Sequence, residues 1–130
     1  MRASLDDRRV AEWLFLLSLF AAAYFYAGAG WNQNATFDLT RAVVERHTLN
    51  IDAYAGNTGD VSYANGHVYA NKAPALSFLA AIPYAALHAL GITNPAVASY
   101  LSTLFTCGVF FALIPAMYFR PEKKLTASPE

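Results

Sequence analysis

The sequence has 130 residues, of which 56% are hydrophobic and 15% aromatic, and its nine basic and nine acidic side chains cancel. Charged residues make up 14% of the chain, against roughly 25% in a soluble globular domain, and none lies between positions 73 and 119. This composition excludes an ordinary water-soluble domain, and the zero net charge argues against a nucleic-acid-binding protein. Cys107 is the single cysteine, which excludes an internal disulfide and a cysteine-based metal site.

Two long apolar segments predict an all-α integral membrane protein with two transmembrane helices. The first segment, 13–30, has 18 uncharged residues, close to the roughly 20 that a helix needs to cross a bilayer. Three arginines in the preceding segment, 1–12, predict a cytoplasmic N-terminus by the positive-inside rule. The same run also fits a cleavable signal peptide, with Ala27-Gly28-Ala29 as the cleavage site. We prefer the uncleaved anchor because the run is long for a signal-peptide core.

The second long apolar segment, 96–119, has 24 uncharged residues and is followed by the basic tail 120–130. The basic residues of this tail are Arg120, Lys123 and Lys124. They indicate a cytoplasmic flank. Between the two long segments, 73–92 is either an interfacial helix or a third transmembrane helix. A third crossing would put the basic tail outside, so we prefer two crossings, with 31–72 as an outer, periplasmic loop.

The outer loop 31–72 carries two local structure patterns. Apolar residues at helical spacing across 34–48 predict an amphipathic surface helix, with Asn34 as its N-cap and Asp38 on its solvated face. Residues 61–70 hold Asn-Gly between β-favouring residues, a pattern typical of a hairpin with a type I′ turn. We therefore expect the loop to have structure of its own.

Polar side chains of the outer loop are the candidates for chemistry. A membrane-surface site for a lipid-linked phosphate needs a carboxylate that accepts a proton or binds a metal ion, and cations that hold the phosphate. Each candidate also has a structural interpretation, as a solvated charge, an ion pair such as Arg41 with Glu45, a turn former, or a side chain that extends to the membrane interface. The candidates are Asn32, Gln33, Asn34, Asp38, Arg41, Asp52, Asp60, His67, Tyr69 and Lys72.

A short motif follows the predicted hairpin turn and leads into the middle apolar segment. It consists of Asn65, Gly66, Tyr69, Lys72 and Pro74. With the preceding span and loop helix, this motif resembles the start of the GT-C-type membrane glycosyltransferases that use polyprenyl-phosphate sugars, the group related to aminoarabinose transferases and protein O-mannosyltransferases. The resemblance implies transfer of a sugar from a polyprenyl-phosphate donor, at the periplasmic face of the bacterial inner membrane, to a lipid, glycan or protein acceptor.

The resemblance also implies roles for individual residues. The acidic pair of the family falls on Asn32 and Gln33, and amides can neither act as a base nor bind a metal ion as a carboxylate does. Either Asp38 takes the catalytic role, or this branch works differently or is inactive. The need for a divalent metal ion stays open. The other implied contacts are Arg41 and Lys72 for the phosphate and His67 and Tyr69 lining the site.

Three interpretations of the whole chain follow. Members of the resembled family are several times longer, so the first is the N-terminal part of a longer glycosyltransferase, inactive on its own. The second is a small non-catalytic accessory or scaffold protein, in which abundant alanine allows close helix packing. The third is a signal-cleaved product anchored only by its C-terminal span.

Overall fold

The computed structural model describes residues 5–119, which are mostly helical. The helices are α1 (Leu5–Tyr24), α2 (Trp31–Arg46), α3 (Ala75–Ala89), α4 (Pro95–Thr103) and α5 (Val109–Tyr118), with a 3-10 turn at Ala55–Asn57 and a π-helical turn at Leu104–Gly108. The strands β1 (Val61–Ala64) and β2 (His67–Ala70) form a two-stranded sheet. The described residues divide into two compact units, 5–25 with 108–119, and 26–107.

One helix of the described residues is long and apolar enough to cross a membrane. It runs over Pro95–Tyr118 through α4, the π turn and α5, and has 24 residues. At 1.5 Å per residue this is about 36 Å, against a hydrocarbon core of about 30 Å. The prediction of two transmembrane helices, or three, is therefore wrong for the part of the chain that the structure describes.

The predicted number of transmembrane helices was too high because it was based on the length of uncharged sequence. The length of uncharged residues within the helices α1 and α3 is shorter. α1 begins at Leu5, so its first turns contain Asp7, Arg8, Arg9 and Glu12, and it ends at Tyr24. The uncharged part of that helix, 13–24, measures only about 18 Å. α3 has 15 residues, about 22 Å, and is also too short to cross.

The hairpin and the loop helix are both present in the structure. β1 and β2 pair antiparallel from Val61 with Ala70 to Ala64 with His67. Asn65 and Gly66 both have positive φ, 53° and 81°, as a type I′ turn requires. α2 begins three residues before the predicted 34–48, because Gly30 is its N-cap instead of Asn34.

The unit 26–107 has a small core where α2 meets the hairpin. Leu39, Ala42 and Ile51 are buried there, and Val61 and Val68 pack against them. The backbone N–H of Ile51 donates to the carbonyl of Val68 at 2.8 Å. This bond fixes the loop after α2 to the hairpin, so the two elements enclose the core together.

Hydroxyl side chains join α2 to α3 within the same unit. Ser77 Oγ donates to the carbonyl of Thr36 at 2.9 Å, and Thr40 Oγ1 lies 3.2 Å from the carbonyl of Ser77. Thr40 and Ser77 are buried. These bonds satisfy polar groups where the helices meet, and the packing brings Tyr84 of α3 against α2.

In the other unit, α1 packs on α5 and leaves large apolar side chains exposed. Those on α1 include Trp13, Leu16, Leu17 and Phe20, and those on α5 include Phe110, Ile114 and Met117. An exposed apolar surface of this kind fits contact with lipid or with another protein.

Candidate functional site

Asp38 is a buried carboxylate on α2. Its exposed fraction is 0%, although the sequence predicts a solvated position, so that prediction is wrong. Ala35, Leu39 and Ala42 are buried on the same side of the helix. The spacing i, i+3, i+4, i+7 of these four residues is that of one helical stripe. Because the side chains of Ala35 and Ala42 are small, a neighbouring segment of the same chain can approach the helix closely enough to cover the carboxylate.

The Asp38 carboxylate has few hydrogen-bond partners in its buried position. Oδ1 lies 3.5 Å from Nδ2 of Asn57, a long and weak hydrogen bond. Oδ2 is buried and has no hydrogen-bond partner among the described residues. Burial raises the pKa of Asp38 from 3.8 to about 6, although the Asn57 amide and the charge of Arg41 oppose the rise. Asp38 is therefore a carboxylate that is shielded from solvent and has a pKa close to neutral pH.

Asn34 holds the segment that covers Asp38. Its Nδ2 donates to the carbonyl of Asn57 at 2.7 Å. Asn57 thus connects the 3-10 turn to α2 through both its carbonyl and its amide. By contrast, Asn32 and Gln33, the positions of the family's acidic pair, are exposed on the first turn of α2.

Arg41 belongs to a hydrogen-bonded group around Glu45, which we call the Glu45 cluster and which also contains Tyr54 and Tyr84. Arg41 Nε donates to Oε1 of Glu45 at 3.1 Å, and the guanidinium lies 4.1 Å from the centre of the Tyr54 ring. Tyr54 OH donates to Oε2 of Glu45 at 2.9 Å, and Tyr84 OH donates to Oε1. The carboxylate of Glu45 is thus shared by three donors.

These donors set the ionisation of the Glu45 cluster. Partial burial alone would raise the pKa of Glu45, but the hydrogen bonds from Tyr84, Arg41 and Tyr54 hold it below its usual value. Burial and the neighbouring carboxylate raise the pKa of Tyr84 to about 12. Glu45 is therefore ionised and fully hydrogen-bonded, and it orients Arg41 beside the carboxylate of Asp38.

His67 and Lys72, near the hairpin, are each paired with a separate carboxylate. His67 Nδ1 lies 2.6 Å from Oδ2 of Asp52, whose Oδ1 accepts the backbone N–H of Val68 at 2.6 Å. The hydrogen bond from Val68 and, to a smaller extent, the one with His67 hold the pKa of Asp52 below its usual value. Lys72 Nζ lies 2.8 Å from Oδ2 of Asp60.

A cleft of about 540 Å³ lies in the unit 26–107, between the end of α2, the loop after it, β2 and α3. Of the predicted site residues, Tyr69 is the one that lines it. Its other lining residues include Val43, His47, Leu49, Asn50 and Phe78.

The predicted site residues therefore fall into separate groups. Asp38 and Arg41 lie together on α2, and Arg41 lowers the pKa of Asp38. His67, Tyr69 and Lys72 lie on or just after β2, and among the described residues none of them hydrogen-bonds to Asp38 or Arg41. No three His, Cys, Asp or Glu side chains of the described part come together as metal ligands.

Tyr54, Asn57 and Tyr84 contribute to the candidate site but are not indicated by any pattern in the sequence. Each contacts a predicted residue or its ion-pair partner, but Tyr84 lies 39 positions from Glu45, and no spacing rule connects them. Glu45 itself is visible in the sequence, as the i+4 partner of Arg41.

Comparison of the chain with models of protein families, with curated proteins and with solved structures finds no match. The resemblance to GT-C-type glycosyltransferases therefore rests on the motif residues themselves.

Proposed function

We propose that this chain supplies the outer-surface part of a bacterial inner-membrane glycosyltransferase that takes its sugar from a polyprenyl-phosphate donor. The acceptor is a lipid, a glycan or a protein. The observation that carries the proposal is Asp38, a buried carboxylate with a pKa of about 6 and one oxygen that has no partner among the described residues. Such a group is mostly ionised at neutral pH and is basic enough to take a proton from an acceptor hydroxyl as the new bond forms.

The orientation in the membrane follows from the candidate span. The helix Pro95–Tyr118 is followed in sequence by Arg120, Lys123 and Lys124, which favour the cytoplasmic side. The segment 31–72, with α2 and the hairpin, then lies on the periplasmic side, where lipid-linked donors are used in the resembled family.

Arg41 and Lys72 are the proposed contacts of the donor phosphate. The Nε–H of Arg41 donates to Glu45, and the two terminal NH₂ groups of the guanidinium would bind the phosphate. Lys72 is about half-exposed and paired with Asp60, so a phosphate would compete with that carboxylate for the ammonium. His67 and Tyr69 would line the site from the hairpin. In this arrangement Glu45 and Asp60 hold the two cations in place before the donor binds.

The test is sugar transfer in native membranes of the source organism, with Asp38→Asn introduced into the native copy of the chain. Labelled polyprenyl-phosphate sugars, each with one hexose or pentose, are added, and release of the label from the polyprenyl phosphate is measured. We expect Asp38→Asn to abolish transfer of the sugar that wild-type membranes use. Glu12→Gln, which removes an exposed carboxylate on α1, is the matched control and should transfer normally.

The pH dependence of the rate gives a second readout. The wild-type rate should fall as the pH drops through about 6, because protonated Asp38 cannot accept a proton. Full transfer by Asp38→Asn, or transfer with no acid limb, would exclude Asp38 as the base.

A non-catalytic accessory protein is the second candidate, and the exposed apolar surface of α1 favours it. Trp13, Leu17 and Phe20 are each more than half exposed on a helix whose uncharged part is too short to cross a bilayer. A larger membrane protein could cover them. Stable co-purification with such a protein from native membranes, together with unchanged transfer in Asp38→Asn membranes, would favour this function.

A further inference from the structure

The cleft at the end of α2 has the size of a small-molecule site. Its volume of about 540 Å³ lies within the range of about 300–1,000 Å³ that such sites occupy. Val43, Leu49 and Phe78 give it apolar walls, and Leu49 and Phe78 are exposed to the opening. The cleft is therefore open to a ligand from outside the chain.

Four polar side chains line the cleft: those of His47, Thr48, Asn50 and Tyr69. Thr48 Oγ1 accepts the backbone N–H of Asn50 at 3.3 Å, and among the described residues the other three make no side-chain hydrogen bond. Charged side chains elsewhere in the same unit, such as Glu45 and Lys72, are paired. Donors and acceptors without a protein partner thus converge on one concave surface, which is where a ligand would use them.

The lining chemistry restricts the class of ligand. No Asp, Glu, Lys or Arg of the described residues lines the cleft, so within this part of the chain a phosphate finds no Lys or Arg there and an amine no carboxylate. The aromatic rings of Tyr69 and Phe78 offer flat apolar faces, and the amide, imidazole and phenol groups can both donate and accept hydrogen bonds. A neutral ring with C–H faces and several hydroxyl groups satisfies both requirements.

We infer that this cleft binds an uncharged sugar ring. Neither Arg41 nor Lys72 lines it, so we assign the sugar to the acceptor, and Tyr69, the proposed site residue that lines the cleft, would contact that acceptor. The assignment to an acceptor rests on the proposed function, whereas sugar binding itself is measured without any transfer.

The experiment uses the full chain in phosphatidylcholine nanodiscs, which contain no glycoside detergent. Methyl glycosides of glucose, galactose, mannose, xylose and arabinose are titrated, and the methyl NMR signals of Val43 and Leu49 are followed. We expect at least one glycoside to shift both signals in a saturable way. Asn50→Ala and Tyr69→Phe should each raise its Kd about fivefold, as loss of one neutral hydrogen bond does. Tyr63→Phe, the same change at an exposed position of the hairpin, should leave Kd unchanged.

Three results would overturn the inference. The first is that no glycoside shifts the Val43 and Leu49 signals of the wild-type chain, a measurement that needs no variant to fold. The second is that cyclohexane-methanol shifts them as strongly as any glycoside, which would make the cleft simply apolar. The third is equal binding by wild type and Asn50→Ala. None of these outcomes changes the transfer assay on Asp38, so failure of the sugar site is distinguishable from failure of the proposed function.

Discussion

Replacement of Asp38 by Asn should change how the stability of the chain depends on pH. The folded protein raises the pKa of this carboxyl from 3.8 to about 6, so between these values the folded state binds more protons than the unfolded state. Stability therefore falls as the pH rises through this interval and is level above it. Each pKa unit corresponds to about 1.4 kcal/mol, so the loss between pH 4 and pH 8 is about 2.5 kcal/mol.

Asp38→Asn removes the ionisation but keeps the shape and the Oδ1 acceptor that faces Asn57. At pH 4 the carboxyl of the wild type is largely neutral, so the two proteins differ only by the new buried amide, which costs about 1–3 kcal/mol if its N–H groups stay unpaired. As the pH rises to 8, the difference in unfolding free energy should shift by about 2.5 kcal/mol in favour of the variant.

The assay is unfolding by urea, followed by circular dichroism, in detergent micelles at five pH values from 4 to 8. Glu12→Gln on α1 removes a solvent-exposed carboxylate and controls for the loss of one negative charge. A free-energy difference between wild type and Asp38→Asn that stays constant across this pH range would refute the reasoning. A difference that moves against the variant with rising pH would show that Asp38 has a partner that stabilises its charge.

Two further predictions concern the hydrogen bonds around the candidate site. Tyr84→Phe should lower the unfolding free energy by about 1–2 kcal/mol, because it removes a buried hydrogen-bond donor to Glu45. Tyr63→Phe, the same change at an exposed position, should have no effect. Equal urea midpoints for the two variants would contradict this prediction. Asp52→Ala should lower the protection factor of the Val68 amide against hydrogen exchange, and acidification of the wild type through the lowered pKa of Asp52 should do the same, since protonation weakens the acceptor; an unchanged protection factor in the variant would show that this bond does not protect β2.

Features of the fold that depend on adjacent residues could be predicted from the sequence. The Asn65-Gly66 pair specifies a turn with two positive φ angles, and the hairpin forms around it. The loop helix follows from its own periodicity, although its first residue does not, because Gly30 caps it by backbone conformation, without a side-chain hydrogen bond. The predicted span at 13–30 was wrong because the limits of α1 place charged residues inside the helix, whereas the predicted span at 96–119 coincides with the candidate membrane helix Pro95–Tyr118.

The burial of Asp38 could not be inferred from large apolar residues. The sequence pattern puts Asp38 on the solvated face of the loop helix, but the buried stripe of α2 is made of Ala35, Asp38, Leu39 and Ala42. Small side chains mark the side of a helix that neighbouring chain approaches closely, and this spacing is present in the sequence. The sequence does not indicate which segment covers Asp38. In the structure this segment contains Asn57, 19 positions further along the chain.

The carboxylates of the unit 26–107 differ in how their charge is balanced. Asp52 is paired with His67 and Asp60 with Lys72, and Glu45 accepts hydrogen bonds from three donors. Asp38 alone of these four combines complete burial with an oxygen that has no described partner. The fold elsewhere provides partners for buried or semi-buried acids, so the exception at Asp38 costs stability that a neutral side chain would restore. The proposed role of Asp38 as a base would account for this cost, because a partner for Oδ2 would lower the pKa that makes the group a base at neutral pH.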